Sequence, residues 1–209
     1  MSRHSDVIGE ILAGQFLDLA QKLSGPDGAE WKKELGKFLH KRPTWQDAPG
    51  LLMLTGTVVI PVVPPFSVVD RFVVGIQDGV VIGYVGDNFK RMFGNHAEPE
   101  TPDTTLRIHQ LMKLAKDPAI IAELGGEQTA ETTLGQMWEM LKIQGEGQDG
   151  RLLNNGYVNI FYVRSQVDNQ LWAVLCFWRS GRRYWVVSAR PVSAPLGWIA
   201  GGRVFSRDS

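Results

Sequence analysis

Apolar residues near the start of the chain, Val7, Ile8, Ile11, Leu12, Phe16, Leu19, Ala20 and Leu23, recur at intervals of three and four. That period gathers them on one face of an amphipathic helix, and Ser24-Gly25-Pro26 ends it. A second helix is expected over Ala29 to His40, with Trp31, Leu35, Phe38 and Leu39 on one side and Lys32, Lys33, Glu34 and Lys37 on the other, stopping before Pro43. From Leu51 to Val85 the pattern changes to β-branched runs, LLMLTGTVVIPVV, SVVDRFVVGI and VVIGYV, which predict three strands with Asp78-Gly79 as a tight turn. Pro61 and Pro64 place the end of the first run at a sheet edge or bulge, because proline cannot donate to a ladder. Asp87-Asn88 then caps a short helix through Phe93 that ends at Gly94.

Residues 95–104 (NHAEPETPDT) are polar and read as a long surface loop. Beyond them three helices are expected: Thr104 to Lys116, one opened by Asp117-Pro118 and closed at Gly125-Gly126, and Ala130 to Gln144 capped by Thr129 or Thr132. GEGQDG leads into a meander of Tyr157 to Arg164, Leu171 to Arg179 and Arg182 to Arg190. With Ser180-Gly181 as a two-residue loop, Arg179 would face Arg182, Trp178 would face Arg183 and Cys176 would face Trp185. Strand alternation then puts Trp172, Val174, Cys176, Trp178, Arg183, Trp185 and Val187 on one side, and Ala173, Leu175, Phe177, Tyr184, Val186 and Ser188 on the other. The expected fold class is α+β: N-terminal helices, Val-rich antiparallel strands, a helical middle and a C-terminal antiparallel β-meander. Residues 1–209 are read as a single compact domain, with 1–94 and 105–209 as the alternative division around the acidic loop.

Charge changes the picture at the C-terminal end. Arg151 onward holds eight arginines, no lysine, two acids (Asp168 and Asp208) and ten aromatics, a formal +6 within a chain whose net charge is zero. The hairpin tip gathers Arg179, Arg182 and Arg183 beside Trp178 and Tyr184, with Arg190 further along the last strand. Guanidinium forks among aromatic rings suit an anionic, flat-faced partner. The competing reading makes the tryptophans core and the arginines a solvated hairpin end, paired with the acidic first 150 residues.

Other chemistry is thin. The single cysteine, Cys176, excludes an intramolecular disulfide, is expected as a buried apolar residue, and fits a reducing compartment. Asp6, Glu10 and Asp18 interrupt the N-terminal pattern where a signal peptide needs an apolar run, and Leu51 to Pro65 is too short and proline-broken to cross a bilayer. Gly83-Tyr84-Val85-Gly86-Asp87-Asn88 lacks both GxGxxG and a phosphate-loop lysine. His4, His40, His96 and His109 follow no metal or triad spacing, and His96 with Glu98, Glu100 and Asp103 reads as a solvated loop. No metal or cofactor is expected.

The stretches AELGGEQTAETTL (122–134), NNGYVNIFYV (154–163), LWAV (171–174) and GGRVFSRDS (201–209) resemble those of a family of small uncharacterised bacterial proteins. The resemblance covers the chain from about Trp31 onward, most clearly after Arg107. It implies a bacterial, cytoplasmic origin and carries over no functional residue. The residues themselves point to a non-enzymatic binding or adaptor protein, whose Arg/aromatic hairpin takes a protein or nucleic-acid partner. Two alternatives stand beside it: a small hydrolase or nuclease built on His96 or His109, and an assembly subunit docking through Ile8, Leu12, Phe16 and Leu19.

Overall fold

A computed structural model describes residues 18–39 and 50–208. The expected positions Val7 to Phe16, with His4 and His40, lie outside the described residues. The chain divides into two compact units, Met1–Pro49 and Gly50–Ser209. In the first, residues 18–24 are helical and α1 spans Gly28–Leu39, one residue from the expected bounds at each end. Lys22 there lies over the Trp31 ring at 4.8 Å.

The second unit is built on eight strands in the order β1 (Leu52–Ile60), β6 (Thr104–Leu111), β10 (Arg203–Arg207), β7 (Asn159–Arg164), β8 (Leu171–Arg179), β9 (Tyr184–Pro191), β4 (Val80–Val85) and β3 (Gly75–Gln77). Neighbours run antiparallel except β10 beside β7 and β4 beside β9. The fold is α+β, as the sequence predicts, and the C-terminal meander β7-β8-β9 lies at its centre. Asp78 and Gly79 both take positive φ in the β3–β4 turn, as a two-residue hairpin requires.

Three expectations are corrected. The Val-rich stretch is no three-strand unit: β1 and β3 are opposite edges of the sheet, and most of SVVDRFVVGI is a 3-10 turn and loop. Thr104–Leu111 is a strand, not a helix, because Leu106 and Ile108 fill one side of a ladder between β1 and β10. Residues 95–104 join rather than divide, since β5 (Ala97–Glu98) pairs with β2 (Phe66–Ser67) and strands from both sides of them share one sheet.

Both faces of the sheet carry apolar side chains, so two cores form. One gathers Phe161, Val174, Cys176, Trp178, Trp185 and Phe205 with Phe89 and Phe93 of α2 (Asp87–Phe93) and Trp138 of α5 (Leu134–Ile143). Burial pushes the Cys176 thiol well above its usual range, so it stays an uncharged core group. Thr133, not Thr129 or Thr132, caps α5 in a reciprocal box with Gln136, and the Glu98 carboxylate takes the amides of Leu134 and Gly135, each at 2.8 Å. The second core sets Leu111, Ile160, Tyr162, Leu171, Ala173 and Val204 against Ile120 of α3 (Asp117–Glu123), Ala130 of α4 (Glu127–Ala130) and Trp198.

Asp117 does not cap α3; its carboxylate turns into this second core with no solvent exposure. Oδ1 accepts from the Tyr162 hydroxyl at 2.9 Å and Trp198 Nε1 at 2.6 Å, and Oδ2 accepts from Arg190 at 2.9 Å. Burial and the adjacent Asp117 charge drive the Tyr162 hydroxyl far above its ordinary value, so it remains a donor. Replacing Asp117 by alanine would strand three donors at once. Asp117→Ala is expected to cost about 3–5 kcal/mol, which in a unit of this size lowers Tm by roughly 6–20 °C; thermal melts followed by circular dichroism check it.

Candidate functional site

The β8–β9 hairpin closes through four residues, not two. Arg179 pairs with Tyr184 and Trp178 with Trp185, while the amides of Arg182 and Arg183 both donate to the Arg179 carbonyl, at 3.0 and 2.7 Å. Arg183 takes the left-handed conformation at φ 54° that completes the turn. This register sets the Trp178 and Trp185 rings edge to face at 5.4 Å and removes the opposition of Arg179 to Arg182 that a two-residue loop would impose. A slip of two residues leaves the strand residues on their expected faces, but Arg183, expected beside Trp178 and Trp185, lies in the turn instead.

The six residues read from sequence as a binding set therefore separate. Trp178 belongs to the first core, 6% exposed. Arg190 lies at the other end of β9, bound to Asp117 with its guanidinium 3.3 Å from the centre of the Trp198 ring. Tyr184 stays at the tip on the opposite face from Trp178, and Arg179, Arg182 and Arg183 are exposed there.

That opposite face is not covered at the hairpin end. Tyr84 is 50% exposed, Phe177 and Tyr184 are half-buried, and with Gly83, Arg179 and Val186 they line a cavity of about 320 Å³. The rings come from three adjacent strands: Phe177 from β8, Tyr184 from β9 and Tyr84 from β4, where Tyr84 pairs with Val186. Gly83 makes the arrangement sterically feasible. A Cβ at that position would sit 2.2 Å from the Tyr184 ring, so the ring lies directly on the glycine backbone. A second cavity, about 420 Å³, continues over the tip past Phe177, Arg179, Ser180 and Arg182 to Gly156.

The arginines also separate by partner. Arg164 pairs with Glu127 and Glu131, and Arg190 with Asp117, so these two do meet acids of the first 150 residues. Arg203 and Arg207 donate to the carbonyls of Arg151 and Glu131. Among the described residues Arg179, Arg182 and Arg183 enter no ion pair. Their charge is exposed beside the three rings.

The histidines sit elsewhere. His96 is buried against Phe93, with Nε2 3.3 Å from Glu98 Oε1, and Glu98 is already occupied by the α5 amides. His109 lies on β6 with Nε2 3.2 Å from the Ser206 hydroxyl. Neither lines the cavities at the hairpin. Of the three rings at the tip the sequence-read set held Tyr184 alone: Phe177 was left among the apolar residues of its sheet face, and Tyr84 reaches the site only through the parallel β4–β9 pairing, which no local pattern signals.

Compared with protein-family models, curated proteins and solved structures, the chain matches none.

Burial, with the Arg107 charge, lowers the His109 pKa below its ordinary 6.5, while Glu123 opposes the shift more weakly. The unfolded chain then binds the proton more tightly than the fold. Stability is whole above about 6.5 and falls as the pH drops toward the folded value. Melts between pH 7.5 and 5 are expected to show a smaller acid-side loss of Tm in His109→Gln than in the parent protein.

Proposed function

We propose that this chain is a non-enzymatic binding protein that holds a single-stranded nucleic acid across the open end of its sheet. The observation that carries the reading is the juxtaposition of Tyr84, Phe177 and Tyr184 on three adjacent strands with three arginines free of any ion pair among the described residues. Successive bases stack on exposed rings regardless of sequence, and guanidinium groups follow the phosphates. Adjacent strands lie about 4.8 Å apart, close enough for neighbouring bases to occupy neighbouring rings. An acidic protein would satisfy the arginines but would leave three flat aromatic faces without a matching surface. A hydrolytic role finds less support, because the carboxylate beside His96 already serves two helix amides.

Fluorescence anisotropy with a labelled eight-nucleotide single strand tests the reading. The triple change Arg179→Ala, Arg182→Ala and Arg183→Ala is expected to weaken binding at least tenfold with Tm unchanged. It should also flatten the plot of log K against log salt by about 2, at roughly 0.7 for each phosphate that is no longer neutralised. Tyr84→Ala removes a stacking ring without touching charge, and should lower affinity about tenfold while leaving the salt slope intact. Undetectable binding, or binding indifferent to both variants, rejects the proposal; capture of an acidic peptide in its place would assign the face to a protein partner.

A further inference from the structure

The run SVVDRFVVGI carries two pairs of valines, Val68-Val69 and Val73-Val74, that no strand uses. The Val68 amide donates to the His96 carbonyl at 3.0 Å, and the amides of Arg71 and Phe72 donate to the Val68 carbonyl at 3.1 and 2.9 Å. This tight turn buries Val68 and Phe72, four residues apart, and leaves Val69 and Val74 exposed over 59% and 63% of their surface. Together with Val85 of β4 and Phe89 of α2, these four residues line a cavity of about 270 Å³. Val68, Phe72, Val85 and Phe89 belong to the first core, and the cavity shares no lining residue with the two at the hairpin.

The hollow has a firm floor. The Phe72 ring packs 5.2 Å from the rings of both Phe89 and Trp138. Apart from one lysine its lining side chains are all apolar, so water inside finds few hydrogen-bond partners and an aliphatic group replaces it favourably. Single exposed valines need no explanation, but Val69 and Val74 stand where the cavity opens. Lys90 is the one charged residue that lines it, and its side chain is 60% exposed. A lysine so placed lays its stem along apolar surface and keeps its ammonium in water at the rim. Its contact with Asp87 is 3.8 Å between two exposed groups, an arrangement worth little, so the ammonium can turn to another anion.

We infer that this cavity binds an aliphatic monocarboxylate, its tail between the valines and the two phenylalanine rings and its carboxylate at the mouth beside Lys90. The inference is independent of the single-strand reading above. A methylene needs about the room of one water molecule in the liquid, roughly 30 Å³, so a tail of about nine carbons fills the space. A polar or flat heteroaromatic ligand would bring donors and acceptors into walls whose side chains offer them no partner. An alkyl ammonium would meet the Lys90 charge at the only polar side chain the lining provides.

Isothermal titration of the full chain with hexanoate, octanoate, decanoate and dodecanoate, each below its micelle concentration, tests the inference. From hexanoate to decanoate each added methylene should tighten binding about threefold to fourfold, as burial of a methylene predicts, and dodecanoate should gain little more. Octanoate should bind at least fivefold more tightly than 1-octanol, and octylamine more weakly than either. Lys90→Gln should bring octanoate down to the level of 1-octanol while leaving 1-octanol binding and Tm unchanged. Val69→Trp fills the mouth and Val74→Asp sets a carboxylate there; both alter exposed positions, and each should abolish octanoate binding with Tm unchanged. The inference is overturned if no carboxylate saturates the protein, if affinity is indifferent to chain length, if 1-octanol matches octanoate in the parent, or if both valine variants bind octanoate as the parent does.

Discussion

A carboxylate with no access to solvent is tolerated only when its lone pairs are used, and Asp117 meets that condition with donors from three places in the chain. Tyr162 comes from β7, Arg190 from β9 and Trp198 from the segment that leads into β10. The carboxylate itself opens α3. One side chain thereby fastens a helix, two strands and a connecting segment on one face of the sheet. The attachment is reinforced by the antiparallel bridge between Ala115 and Trp198, whose amides and carbonyls exchange at 2.7 and 3.1 Å. Directional bonds of this kind fix where the covering layer stops. Beyond Arg190 the same face runs on to Phe177 and Tyr184 without a helix over it.

The charge asymmetry of the sequence resolves along the same line. A +6 segment invites two opposite readings, a ligand surface or an internal counterweight to the acidic remainder, and among the described residues its arginines divide between internal pairs and an unpaired cluster at the hairpin. Arg190 is spent on the buried network and Arg164 on a pair of glutamates at the sheet margin. Exposed pairs such as those of Arg164 contribute little to stability, whereas the Arg190 pair cannot be dismantled without leaving a buried charge. The arginines of the hairpin serve neither purpose. They cluster where the chain turns, so the same four-residue loop that relieves their mutual opposition across the strands also keeps them together at the surface.

What could be read from sequence was what local periodicity encodes. β8 was bounded at Leu171 and Arg179, and the assignment of its odd and even residues to two faces survived a wrong loop length because the error was even. The helix over Asp87–Phe93 ends at Gly94 and the chain turns at Asp78-Gly79 as their residues signal, but Gly86, not Asp87 or Asn88, is the helix N-cap, and no side chain caps it. Thr104–Leu111 failed because Leu106, Ile108, Leu111 and Met112 also satisfy a helical period, and the partners that make it a strand, β1 and β10, lie about 50 and 100 residues away in sequence. The role of Asp117 was hidden for a related reason. Before a proline at the head of a helix, an aspartate reads as a cap, and only the arrival of Tyr162, Arg190 and Trp198 reveals the better use of its oxygens.

The open end of the sheet bears on the proposed function because the fold itself holds the Tyr184 ring in place. Tyr184 rests on Gly83, with no room for even a methyl group beneath it. On the proposed reading, a ring fixed in this way would lose little conformational freedom under a stacked base, so more of the stacking energy would appear as affinity. Sheets normally avoid leaving aromatic side chains uncovered, since burial of such a side chain is among the larger stabilising contributions a core can gain. Here the covering layer ends at the Asp117 network, and Gly83 stands where a larger residue would lift the Tyr184 ring away. Stability alone would favour extending the cover; the proposed single-strand reading requires that it stop.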